Sequence, residues 1–229
     1  VIRAGRQLPL DLPHAPSFAR EDFLKAPANA DALRAIESWS DWPGRMLLLV
    51  GPAGSGKSHL GAIWAQAARA ATIPAETLAG LNPPAHALAE GGAILVEDAD
   101  RVGAGEAALF HLINLARERG AHLLLTARRP PGAWGLAMPD LRSRLRLAPV
   151  VTLGEPDADL ARAVLFKLFS DRQLAVEPAV IGYIALRIDR SLGAARAIVD
   201  ALDREALARG AAVTRAMAAQ LFRDADAEG

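Results

Sequence analysis

The octapeptide GPAGSGKS, Gly51 to Ser58, constrains this chain more than any other stretch. It fits the pattern G-x-x-x-x-G-K-[ST], and it sits where that pattern has mechanical meaning. The apolar run MLLLV precedes it. The helical pattern KSHLGAIWAQAARA follows, with Leu60, Ile63, Trp64 and Ala67 spaced three and four apart. A strand that ends in such a loop and restarts as a helix turns backbone amides inward around a β-phosphate, and the helix adds its positive end. Pro52, Ala53, Gly54, Ser55 and Gly56 form the cradle, and Lys57 reaches the β- and γ-phosphates. Ser58 offers its hydroxyl to Mg²⁺, and His59 follows on the first helical turn.

A second apolar run, AILVEDAD, delivers acids to the same end of a sheet. Glu97 reads as the Mg²⁺ partner and Asp98 as the group that polarises an attacking water. Glu97 stands where an aspartate is usual and is one methylene longer, so nucleotide binding with weak intrinsic hydrolysis is expected. A third run, LLLTARRPP, ends in Thr126, which either faces the γ-phosphate or caps its strand. Arg128 and Arg129 beyond it read as solvated loop arginines.

Short apolar strands alternating with amphipathic helices imply a parallel sheet covered on both faces. The pattern runs from about Arg45 to Leu153 through RMLLLVG, AATIPA, AILVEDAD, AHLLLTA and PVVTL. After GEPD the strands stop and four helical patterns follow. The expected organisation is an extended segment over 1–16, an α/β domain over 17–154 and a small helical domain over 155–229. The chain has 26 basic and 26 acidic residues, and that balance argues against a general nucleic-acid binder. It has no cysteine, and its five histidines show no ligand spacing. No apolar run reaches a membrane span and no leader pattern opens the chain, so a cytoplasmic protein is expected.

The stretch RQLPLDLP, Arg6 to Pro13, stands apart. Leu8, Leu10 and Leu12 alternate along an extended chain, but Pro9 and Pro13 remove ladder donors, so this stripe cannot join a sheet interior. It packs on its own body or another protein binds it.

Together these segments resemble the AAA+ ATPases, a P-loop sheet with a helical lid, and within them the DnaA branch. SFAREDFLKAPANADAL is similar to the segment that lies over the adenine, with Phe18, Phe23, Leu24 and Asn29 in it. LLLTARRPP is similar to the sensor 1 strand. PDLRSRLRLAPVVTLGEPD is similar to the box that carries an arginine finger, which falls on Arg144; a salt bridge is the other reading of that residue. QLPLDL resembles the sliding-clamp motif of the Hda family, the DnaA homologues that switch DnaA off. The sequence as given ends at Gly229 after the helical part, so no helix-turn-helix domain and no sequence-specific DNA binding are expected.

The resemblance implies an AAA+ five-stranded parallel sheet, ADP or ATP with Mg²⁺ as ligands, and two partners. One is the β sliding clamp of DNA polymerase III, bound through Gln7, Leu8, Leu10 and Leu12. The other is DnaA, whose ATP hydrolysis Arg144 would stimulate. A homodimer is a further expectation. The lid's sensor 2 arginine has no exact match, because Gly193 takes its place; Arg196 is favoured over Arg190. The alternatives are a stand-alone ATPase of the DnaA or DnaC-like helicase-loader type and an adaptor without a role in hydrolysis.

Overall fold

The computed structural model describes residues 18–80, 92–189 and 191–228. Gln7, Leu8, Leu10, Leu12 and Arg190 lie outside these. The described chain divides into two compact units, with the break between Pro156 and Asp157.

The first unit is built on five parallel strands: β1 (Met46–Val50), β2 (Ala71–Pro74), β3 (Ala93–Glu97), β4 (His122–Ala127) and β5 (Val150–Thr152). Their spatial order is β2-β3-β4-β1-β5. Register sets the functional edge: Val50 lies beside Ala127, and Val96 beside Leu125, so β1, β3 and β4 end together. Pro74 closes the edge strand β2, where a missing donor costs no ladder bond.

The inner strands β1, β3 and β4 are mostly apolar because both their faces are covered, and successive side chains go to opposite faces. Leu48, Val50, Ile94, Val96, Leu123 and Leu125 pack with Leu109, Leu112 and Ile113 of helix α3 (Glu106–Glu118) and with Leu141 and Leu145 of α4 (Pro139–Arg146). Leu47, Leu49, Leu95 and Leu124 pack on the other side. Their neighbours are Leu33 and Ile36 of α1 (Ala30–Glu37) and Leu60, Ile63 and Trp64 of α2 (Lys57–Ala68). Trp64 is fully buried and stacks on Trp42 with ring centroids 5.3 Å apart.

Helix α4 is absent from the periodicity reading. Its eight residues include four charges, which hide the apolar pair Leu141 and Leu145 at i and i+4. Pro139 at the first turn was the available signal.

The second unit contains helices α5 (Ala158–Asp171), α6 (Pro178–Ala185), α7 (Leu192–Arg209) and α8 (Arg215–Glu228). Its core joins Leu165 and Phe169 to Ile181 and Ile184, to Val199 and Leu202, and to Met217. Asp157 caps α5 by accepting from the Leu160 amide at 2.7 Å, and Ser191 caps α7 from Ala194 at 2.9 Å. Each such cap contributes about 1 kcal/mol. Gly210 ends α7 in the left-handed conformation.

Candidate nucleotide-binding site

The loop after β1 is shaped by contact as much as by torsion. A Cβ on Gly51 would lie 2.7 Å from the Leu153 carbonyl oxygen and 2.8 Å from Ser55 Oγ, so only glycine fits there. Gly54 and Gly56 have φ of 71° and 103°, which lets the chain curl before α2 begins at Lys57. Lys57 is buried, and its Nζ donates to the Gly51 and Pro52 carbonyls, each at 2.7 Å. Pro52 and Gly54 are half-buried, Ala53 is exposed and Ser55 is buried in the turn. The arrangement places the loop amides, the helix start and one ammonium at a common point, which is a phosphate-binding geometry.

The electrostatics of that point involve both nucleotide motifs. Burial holds the Lys57 ammonium below its ordinary pKa. Asp98 opposes that shift, Arg128 adds to it, and Asp100 opposes it. Glu97 is held above the usual carboxylate range by burial and then by the neighbouring Asp98, while a hydrogen bond with the Ser58 side chain pulls it back. Ser58 and Glu97, expected as the Mg²⁺ pair, therefore lie within reach of one another. A hydroxyl and a carboxylate at a phosphate site are the hard oxygen donors that Mg²⁺ takes, so these residues fit the ion. When bound, Mg²⁺ would neutralise phosphate charge.

Asp98 follows β3 in a left-handed conformation, φ 49° and ψ 48°. Its amide donates to Thr126 Oγ1 at 3.0 Å, and its carboxylate faces Arg101 at 4.0 Å. Thr126 is 2% exposed at the end of β4, between β1 and β3. Its oxygen accepts from Asp98, which leaves the hydroxyl proton to donate to a phosphate oxygen. Cap and phosphate-facing group are thus compatible roles for one side chain.

The leading segment packs on the first turn of α2. Phe18 and Phe23 meet His59 edge-on, with centroids 5.5 and 5.2 Å away, and His59 Nε2 lies 3.0 Å from the Ala19 carbonyl. Asn29 is buried; its Nδ2 donates to the Leu24 carbonyl at 2.9 Å and its Oδ1 accepts from the Ala26 amide at 2.8 Å. Sequence patterns pointed to these residues but not to the double hydrogen bond, which folds residues 24–29 into a closed turn.

Arg144 is not part of this constellation. It lines a cavity of about 240 Å³ with Arg45, Arg117, Met46, Leu123 and Leu147. Met46 opens β1 and Leu123 lies near the start of β4, whereas the phosphate loop follows their far ends. Four steps along β1 span about 13 Å. Leu147 beside Arg144 is 81% exposed. In the helical unit, Arg196 is half-buried on α7 with Asp200 and Arg172 nearby, and burial lowers its pKa.

Sheet order, phosphate loop and paired acids define an AAA+ fold. Its likeness is to the replication initiator DnaA: domain III of the Thermotoga maritima protein superposes with a TM-score of 0.80 over 93% of this chain and 98% of that one, at 20% identity. DnaA from Aquifex aeolicus bound to AMPPCP superposes with a TM-score of 0.70, at 16% identity, over 82% of this chain and 65% of that one. At such identities the likeness is one of fold. In sequence, 83 residues are 29% identical to the chromosomal replication initiator protein DnaA of Cutibacterium acnes, which is 36% of this chain and 17% of that protein. No protein-family model matches the chain. No helix among the described residues is long and apolar enough to cross a membrane.

Proposed function

We propose that this protein is an Hda-type regulator of replication initiation. It binds ADP or ATP with Mg²⁺, docks on the β sliding clamp through Gln7, Leu8, Leu10 and Leu12, and presents Arg144 to ATP held by DnaA. The observation that carries this reading is the position of Arg144. It stands at the strand starts, away from the chain's own phosphate loop, beside an exposed leucine. An arginine there serves a nucleotide on another molecule, where it stabilises charge developing on the transferring phosphoryl group.

Lys57 and the loop amides hold the chain's own nucleotide, and Ser58 with Glu97 would hold the ion. Thr126 orients the backbone of Asp98, and the leading segment around His59 and Asn29 borders the first turn of α2. These groups order the surface of the domain rather than drive rapid turnover.

The test is hydrolysis of DnaA-bound ATP with clamp loaded on DNA. Wild type should accelerate it. Arg144→Ala should lose about 10³-fold or more of that acceleration while keeping nucleotide binding. Gln7→Ala with Leu10→Ala should lose clamp binding. Unchanged stimulation by Arg144→Ala sinks the proposal.

A second reading is supported by the contacts among Lys57, Ser58, Glu97, Asp98 and Thr126, which make a complete set for the chain's own hydrolysis. In that case the protein is a stand-alone ATPase of the loader type. Substantial turnover without DnaA, abolished by Asp98→Asn, would favour it.

A further inference from the structure

We propose that Arg128 is a phosphate-binding residue of this site, engaging the γ-phosphate from the tip of β4 and biasing the site toward triphosphate. This rests on the nucleotide-binding reading above. It changes Arg128 from a solvated loop arginine into part of the cradle.

Three features of placement carry it. First, β4 lies between β1 and β3, and its last residue, Ala127, pairs with Val50 and accepts from the Gly51 amide at 3.1 Å. Arg128 is therefore the first residue beyond the β4 end, beside the point where the phosphate loop leaves β1. Second, the backbone around it is held from both sides. Ala127 is tied to Gly51, and the Arg129 carbonyl accepts from Trp134 Nε1 at 2.6 Å. Third, Arg128 is exposed and makes no ion pair with a carboxylate among the described residues. The nearby Asp98 carboxylate faces Arg101, which also meets Glu76 at 3.1 Å.

Electrostatics agree. Arg128 follows the β4 end, and Lys57 opens α2 from the loop that leaves the neighbouring β1 end, so two cations flank one loop. Like charges at that range repel, and an anion between them turns repulsion into two attractions. Lys57 serves the β- and γ-phosphates. A second guanidinium adds most where triphosphate carries charge that diphosphate lacks, and its fork suits two phosphoryl oxygens.

The experiment is titration of wild type, Arg128→Ala and Arg128→Lys with AMPPCP and with ADP, each with Mg²⁺. Arg128→Ala should weaken AMPPCP by about tenfold and ADP by less than about threefold, with Arg128→Lys between. Equal weakening of both ligands, or no change in either, overturns the proposal. Wild type that binds neither ligand overturns the nucleotide reading itself, a result visible before any variant is made. Thermal unfolding without nucleotide should be the same for all three proteins; a lowered midpoint in both variants, with AMPPCP and ADP weakened alike, overturns the charge-based role.

Discussion

Thr126 Oγ1 accepts the backbone N–H of Asp98 at 3.0 Å, so the central strand fixes the acid that follows its neighbour. Asp98 sits at φ 49°, a conformation an aspartate adopts only at some cost, and this bond is part of what holds it there. Thr126→Val keeps the shape and removes the acceptor. It should destabilise the first unit by about 1–3 kcal/mol, because a partly buried N–H loses its partner. Urea unfolding measures that cost, and Thr126→Ser should restore most of it.

Gly51 is a packing requirement. Gly51→Ala places a methyl against the Leu153 carbonyl and Ser55 Oγ, at distances real Cβ contacts do not show. Leu153 is itself tied to β1, its amide donating to the Val50 carbonyl at 2.7 Å, so it cannot retreat freely. The expected loss is about 1–3 kcal/mol in nucleotide-free protein. ADP should raise the melting temperature of wild type and fail to raise that of the variant.

Asn29 closes the turn over residues 24–29 with two hydrogen bonds. Asn29→Ala leaves the Ala26 amide and the Leu24 carbonyl without that partner. The cost should be about 1–3 kcal/mol. Nucleotide affinity should fall without loss of the sheet's circular dichroism signal. Full affinity in the variant would detach this turn from the site.

His122 gives a pH dependence whose sign is fixed. Burial lowers its pKa from 6.5, and Arg45 adds to the shift, while a backbone hydrogen bond at Ser40 opposes it. Trp39 meets the ring edge-on at 4.7 Å. The unfolded chain takes up this proton at higher pH than the folded one, so the contribution is complete above pH 6.5 and is lost as pH falls toward the folded value. Unfolding by urea from pH 8 to 5 should show that decline in wild type and a flatter profile in His122→Gln.

The parallel sheet is legible in the sequence because strands buried on both faces must be apolar throughout, as Leu47 to Val50 and Ile94 to Val96 are. The phosphate loop is legible because its glycines and lysine answer to backbone geometry, which is local. What depends on register is not legible. That Thr126 meets the Asp98 amide, and that Arg128 and Lys57 flank one loop, follows from β4 ending level with β1 and β3. No single segment records that. Helix α4 escaped for a different reason: an eight-residue helix with two buried leucines shows too little of one face to read against four charges.

The five residues from Met46 to Val50 separate unlike ends of this molecule. A contact that sets the Arg144 end of one chain against the phosphate loop of another joins different surfaces. Made once per chain and repeated head to tail among copies, such a contact is heterologous and builds a ring or a filament. Strand β1 thus gives the domain a head and a tail, and an assembly made head to tail through them has a polarity.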